Sequence, residues 1–585
     1  MDYEAGRLRH YLLHIGSFDR PLVVYPQGGQ ADTRQEFAML GGAIGTQLTE
    51  LPLPAVPGPF ERAYLSVARK SAPPTPNRIH LATFPNVYEH DETSSVDQPQ
   101  VIDQPLPLAI NGRITEPGQV DWYRIKATQG QRYRVRSYSS TLDSELDARI
   151  WLRPAAGNPS KQHYDEDDSL WEPHDLIAHH YRHQTKERLD PIFMFEPETD
   201  GDWLLGVGDT RREGGPHHVY RIEFQPHVDS AFVHFDAYPS QPKIVRDRIV
   251  LYPGHSYSRP VSIMPGFGSK YDKPLKLRAV NLPDGVTIEA APFKQSDGII
   301  PVLFHADAGA EPTAEIVDLI VEPVDMDDRA GFRGGFVQVN QATNRRGDYA
   351  MYFNRTRKLA VAVCQGPNFD LEIEPPKVPL VRNGEMALQV NVDRHEGFEG
   401  AVYCQMDWLP QGVNQQPPLI IPAGETSGIY SLSAGSGANT GEYNLSITGR
   451  EDEGGHVRSG AGFHYVCSPF VRLSVGDPYL TIKLARAAIE RQKVGTIEAE
   501  LQQHKPFDGE AALTLGRLPF GVKQLPPYPL VRSSDTSVSF QVEVTADCLV
   551  GQYKEIYCEV AITDGGQTIR QQTGSGVLRV DAERE

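Results

Sequence analysis

Apolar and polar residues alternate with a period of two in many short stretches of this chain. Ala387-Leu388-Gln389-Val390-Asn391-Val392, Val538-Ser539-Phe540-Gln541-Val542-Glu543-Val544 and Tyr443-Asn444-Leu445-Ser446-Ile447 each put their apolar side chains on one face, which is the pattern of a half-buried β-strand. Between such strands a corner recurs: Leu-Pro-x-Gly-Val at Leu282–Val286, Leu409–Val413 and Leu518–Val522, spaced 127 and then 109 residues apart. Proline sets one φ and glycine permits a positive one, so the chain can leave one sheet there and enter another.

Repetition at this spacing predicts three consecutive modules. The later two copies agree further, with Phe398-Glu399-Gly400 and Phe507-Asp508-Gly509 before the corner and Gly441-Glu442-Tyr443 and Gly551-Gln552-Tyr553 after it. The Gly-x-Tyr element predicts a tyrosine corner, its hydroxyl bonded to nearby backbone. About seven short strands in each stretch of about 110 residues predict immunoglobulin-like sandwiches at 229–366, 367–475 and 476–585. The predicted fold class is all-β, a string of tandem β-sandwich modules with separate cores.

Composition agrees. The 585 residues hold 52 Gly and 47 Pro, and only 39% are apolar, which favours short strands joined by turns. A formal net charge of -19 excludes nucleic acid as a partner, because phosphate binding draws on clustered Lys and Arg. No stretch approaches the 18 or so apolar residues of a membrane helix. Five cysteines (Cys364, Cys404, Cys467, Cys548, Cys558) show no C-x-x-C spacing. Cys404 with Cys467, or Cys548 with Cys558, are candidate disulfides; buried free thiols are the competing reading.

Residues 106–226 differ in kind. Ile110-Asn111-Gly112-Arg113-Ile114, then Pro117-Gly118-Gln119-Val120-Asp121-Trp122-Tyr123-Arg124-Ile125, Gly130-Gln131-Arg132-Tyr133-Arg134-Val135, Thr199-Asp200-Gly201-Asp202-Trp203 and Val219-Tyr220-Arg221-Ile222 form an ordered set of motifs. The region resembles the bacterial pre-peptidase C-terminal domain, which implies a jelly-roll-like sandwich over 81–228, carried beside other activities in secreted proteins and in some members holding calcium. Glu89-His90-Asp91-Glu92 stands where that family usually has Glu-Pro-Asn-Asp. Residues 4–16 are similar to the closing strand of the same domain type, so 1–80 is expected to hold a truncated copy followed by a small β-rich unit, downstream of a missing segment. Gly397-Phe398-Glu399-Gly400-Ala401-Val402 and Ile421-Pro422-Ala423-Gly424-Glu425-Thr426-Ser427-Gly428, flanking the second corner, resemble tandem repeats of large secreted bacterial proteins.

Candidate chemistry is sparse. There is no G-x-S-x-G elbow, no phosphate loop and no H-E-x-x-H helix, so no catalytic residue is assigned and no enzyme is expected. Asp165, Asp167 and Asp168, with Asp190 or Asp143 across the loop, are the calcium candidates, since hard cations gather several oxygens; a solvated acidic loop is the competing reading. His174, His179, His180 and His183 concentrate imidazoles but lack Cys or Glu at ligand spacing. Trp122 and Trp203 lie in strand patterns and are expected in the core, and exposed tryptophans would suit sugars. The expected function is that of a secreted or surface-borne spacer with adhesive faces for polysaccharide, matrix or envelope. The competing expectation is the accessory region of a secreted hydrolase. Calcium is the one cofactor left open.

Overall fold

A computed structural model describes residues 20–55, 63–66, 75–90, 94–156, 164–166, 190–235, 248–343, 350–415, 417–451, 465–564 and 567–583. Every regular element among them is a strand apart from three short 3-10 turns. The fold is all-β, and no helix among the described residues is long and apolar enough to cross a membrane.

The first unit has two three-stranded sheets, Val23–Tyr25 with Arg34–Leu40 and Gln47–Pro52, and Gly28–Gln30 with Arg78–Ala82 and Ala63–Ser66. Val24, Phe37, Met39, Leu53, Ile79 and Leu81 fill the space between. The resembling strand expected within residues 4–16 lies outside the described residues. The second unit stacks two five-stranded sheets, and its strands include Val120–Ala127, Ala148–Pro154 and Gly201–Asp209 in one, Tyr133–Tyr138 and Val219–Pro226 in the other. Val120–Ala127 alternates buried positions with half-buried or exposed ones as its sequence dictates, so Tyr123 and Ile125 meet Val135, Leu205 and Phe224 inside.

A third core runs from Ala231 to Val363. Beyond it the string of separate cores breaks down: the expected modules 367–475 and 476–585 share one hydrophobic cluster from Phe369 to Val580. The cause is the length of strand Gln567–Asp581. It pairs with Gly551–Asp564 of its own unit and also with Gly384–Arg394 of the preceding one, at Gly384↔Gln571 and Glu385↔Arg570. Across the seam the Gln572 N–H donates to the Asn383 carbonyl at 2.7 Å, and within the last unit the Gln571 amide donates to the Leu480 carbonyl at 2.6 Å and accepts from the Tyr479 N–H at 3.0 Å. Sheets also join one unit earlier, where Ser256 pairs with Cys467.

The corner recurs atom for atom. Gly285, Gly412 and Gly521 have φ of 73°, 82° and 82°, the left-handed region that glycine enters without strain. Val286, Val413 and Val522 each donate to the corner proline's carbonyl at 2.9–3.0 Å, and each glycine carbonyl accepts from Asp307, Gly435 or Thr545 at 2.8–2.9 Å. That second turn ends on Ala310, Ala438 or Cys548, which packs against the glycine: a Cβ on Gly412 would lie 2.5 Å from the Ala438 Cα, and one on Gly521 lies 2.7 Å from the Cys548 nitrogen. The tyrosine corners form as well. Tyr443 donates to the Asn439 carbonyl at 3.2 Å and Tyr553 to the Leu549 carbonyl at 2.7 Å, each four residues upstream.

All five cysteines are free thiols. Cys404 pairs with Gly449 and Cys467 with Thr448 on opposite sides of strand Thr448–Glu451, so two strand spacings of about 4.8 Å separate them, beyond disulfide reach. Cys548 sits at its corner while Cys558 lies seven residues into strand Gly551–Asp564, roughly 20 Å further along.

Candidate functional site

The richest cluster of ligand-type side chains among the described residues forms where the third and fourth units meet. Tyr252-Pro253-Gly254-His255 makes a tight turn: Gly254 has φ 78°, and the His255 N–H donates to the Tyr252 carbonyl at 3.0 Å. Proline then glycine at the central positions is what a type II turn requires. The turn projects His255 across the joint. On the other side, Asp370 lies in strand Phe369–Ile373, which pairs with Gly384–Arg394 so that Asp370 faces Asp393. His395 follows that second strand directly, its N–H bonded to the Asn368 carbonyl at 2.9 Å.

The three side chains converge, with ligand atoms all within 4.8 Å of one another. His395 Nε2 is 3.1 Å from Asp370 Oδ2, and His255 Nε2 sits against Oδ1 of the same carboxylate. Both rings are oriented by backbone: Nδ1 of His255 is 2.8 Å from the Pro253 carbonyl, and Nδ1 of His395 is 2.9 Å from the Pro367 carbonyl. A carbonyl only accepts, so Nδ1 carries the hydrogen in each ring and Nε2 is the nitrogen presented to Asp370. The Asp370 hydrogen bond, opposed by burial and aided by the Pro367 carbonyl, holds the His395 imidazole above its ordinary pKa. The His255 side chain is 11% exposed and Asp370 45%. All three stand at, or beside, an open cleft of about 1090 Å³ whose polar lining includes Glu289, His305, Glu372 and Arg472.

A second polar cluster, between the first two units, is closed. His80 donates from Nδ1 to Glu223 at 2.8 Å, its Nε2 accepts from the Tyr138 hydroxyl at 3.2 Å, and its ring stacks on Tyr138 with centroids 4.2 Å apart. Arg221 donates to Glu223 at 2.6 Å and to Asn86 and Asn111 at 2.5 and 3.1 Å, and Gln225 reaches both Glu223 and Tyr138. Every one of these groups except Asn86 is almost wholly buried. Burial lowers the His80 pKa and keeps the ring neutral. Burial also opposes ionisation of Glu223, but its polar neighbours, the Arg221 guanidinium among them, outweigh this and hold the carboxylate ionised well below the usual range.

No family model and no curated protein sequence matches the chain. Among solved structures, a Salmonella alpha-2-macroglobulin is similar at 10% identity and a TM-score of 0.20, over 95% of this chain and 46% of that one. The fibronectin(III)-like modules of Clostridium thermocellum CbhA are similar at 13% identity and 0.15, over 37% of this chain and 97% of theirs. Domains 4-9 of surface layer protein SbsC are similar at 10% identity and 0.17, over 67% and 55%. The chain thus spans less than half of the macroglobulin's length.

The calcium candidates fall elsewhere. Asp190 is buried and accepts from the Ser139, Ser140 and Thr141 N–H groups and from the Ser140 and Thr141 hydroxyls at 2.5–3.2 Å, which commits both its oxygens to one turn. Asp143 bonds Arg20 and Asn77 at 3.3 and 3.0 Å. Asp165 lies in strand Tyr164–Glu166 opposite Trp151; Asp167, Asp168 and the four histidines 174, 179, 180 and 183 lie outside the described residues. Trp203 is in the core, edge-on to Phe195. Trp122 is not: it stacks on Trp151 at 6.3 Å on the other face of the sheet, where both flank Gly206. A Cβ at Gly206 would come within 3.0 Å of the Trp122 ring, so glycine is what lets the indole lie flat.

His255, Asp370 and His395 escaped sequence reasoning because 115 and 25 residues separate them. The Pro253-Gly254 turn beside a histidine was the only local signal. Glu89 escaped as well: burial first, then the nearby Asp121 charge, raise its pKa to about 8, and only the fold brings the two carboxyls together.

Proposed function

We propose that the chain is a non-catalytic spacer and binding protein of the cell surface or extracellular space. The observation that carries this reading is sheet continuity: strands pair across unit boundaries at Gly384↔Gln571 and Ser256↔Cys467. Neighbouring sandwiches that share a ladder and a core resist bending far better than beads on flexible linkers, which is what holding a binding face away from a surface requires.

The face best suited to a polymer is the Trp122–Trp151 pair, with the Arg153 and Arg149 guanidiniums 5.7 and 5.1 Å from the two rings. Flat, half-exposed indoles offer apolar area to the C–H face of a sugar ring, and the arginines offer donors to its hydroxyls. Co-sedimentation of the full chain with insoluble polysaccharides and envelope fractions tests the reading. Retention that falls at least tenfold in a Trp122→Ala, Trp151→Ala double variant is expected; no retention on any fraction overturns the adhesive part.

The pre-peptidase-type motifs favour a second reading, the accessory region of a secreted hydrolase. They fall on five strands of the two five-stranded sheets, and a hydrolase domain encoded in the same reading frame would decide for it.

A further inference from the structure

We infer that His255, Asp370 and His395 form a binding site for a divalent transition-metal ion of the zinc class, which clamps the third unit to the fourth. Three observations carry it. First, the facing atoms are two imidazole nitrogens and a carboxylate, all within 4.8 Å, a span that one ion with bonds of about 2.0–2.2 Å draws together through small side-chain rotations. Second, both Nδ1 atoms are tied to backbone carbonyls at 2.8 and 2.9 Å, the outer-shell arrangement that fixes a ligating histidine's tautomer and aims Nε2 at the metal. Third, the His255 Nε2 is buried and makes no hydrogen bond although the carboxylate is adjacent. With its hydrogen on Nδ1, the neutral His255 ring turns the Nε2 lone pair toward the Asp370 carboxylate, and a cation between them removes that conflict.

The donor set selects the ion. Calcium and magnesium want six or more oxygens, whereas two imidazoles and one carboxylate suit zinc and its neighbours. The cleft, lined by His255 and Asp370, gives the ion a path to enter. Placement supplies the role, because His255 belongs to the turn after strand Arg248–Leu251 while Asp370 and His395 belong to the hairpin of the next unit. One ion therefore bridges two folded bodies beside the 364–368 connection.

The test is zinc titration of the full chain after chelator treatment, followed by calorimetry, with Co2+ absorption as a second probe. The wild type is expected to bind one more equivalent than His395→Ala or Asp370→Asn, and the visible ligand-field band of Co2+ is expected to weaken in both. His305→Ala, which alters the cleft lining without touching the trio, is expected to keep the full stoichiometry. His395 is 41% exposed, so its variant is expected to fold, and far-UV circular dichroism checks this; His255→Gln serves as a third variant. Equal stoichiometry and affinity in wild type and variants would overturn the site. The clamp has its own readout, amide exchange at 364–368, expected to slow at least threefold on adding zinc to wild type and not to His395→Ala. Zinc bound by the trio with unchanged exchange would overturn the clamp.

Discussion

At the joint between the first two units a histidine meets a carboxylate in a closed interior; at the joint between the third and fourth, two histidines meet a carboxylate beside an open cleft. The residue types are the same and the outcomes opposite. His80 spends both ring nitrogens on side chains, and Arg221 supplies the charge that Glu223 needs. His255 and His395 spend Nδ1 on backbone carbonyls and leave Nε2 for Asp370, beside an open cleft. Whether such a cluster is mortar or a binding site is thus decided by what the second ring nitrogen bonds to and by whether solvent reaches the carboxylate.

The sharpest way to break this contrast is to neutralise each carboxylate. Glu223→Gln leaves the Arg221 guanidinium buried without its counter-charge and is expected to cost about 3–5 kcal/mol, read as a lower urea midpoint for the first two units. Asp370→Asn in metal-free protein is expected to cost under about 1 kcal/mol, because the group is 45% exposed and screened. Equal costs would erase the distinction between the joints.

A smaller effect is expected from glycine. A Cβ on Gly28 would lie 2.6 Å from the His80 carbonyl oxygen and 2.7 Å from Arg221 Nε, so Gly28→Ala should overpack the closed joint by about 1–3 kcal/mol. At Gly254, with φ 78° and nothing nearer than 3.8 Å, alanine meets only the left-handed backbone penalty of about 1–2 kcal/mol. Thermal melts of the two variants measure the difference, and a costlier Gly254→Ala would contradict the assignment of closed and open.

A pH drift is expected within the second unit as well. Glu89, raised to about 8, binds a proton more tightly folded than unfolded, so its contribution is full below its ordinary value near 4.5 and is lost as pH rises through about 8. Glu223, held low, acts with the opposite sign: its contribution is present above the ordinary value and lost only on acidification. Above pH 6.5, where the lowered His80 no longer adds stability with rising pH, urea midpoints up to pH 8 should therefore fall in the wild type and flatten in Glu89→Gln. A flat wild-type profile would show that the carboxyl is not protonated.

Much of the fold was legible because its cues are local. Leu-Pro-x-Gly-Val and Gly-x-Tyr carry their own backbone requirements, and the structure places them in equivalent bonds. In the third unit Glu315 stands two residues after Thr313, where the later units have Tyr443 and Tyr553 after Gly441 and Gly551, which is why only the Gly-Val corner was recognisable there. Trp122 was misplaced because alternation says which residues share a face and not which face is inside; Gly206 between the two indoles was the missing clue. Asp190 looked like a cation ligand because an acidic side chain reads the same whether it awaits an ion or caps a turn.

The sequence by itself determined that this chain is built of strands, where its sheets turn and that its last three units are kin, since each follows from period-two patterning and from the φ that proline and glycine impose on their own residues. Only the tertiary structure decided that the last two units share one core and that His255, Asp370 and His395 meet. Register between distant strands and the burial of a charge depend on partners far away in the chain, whose identity no local pattern encodes.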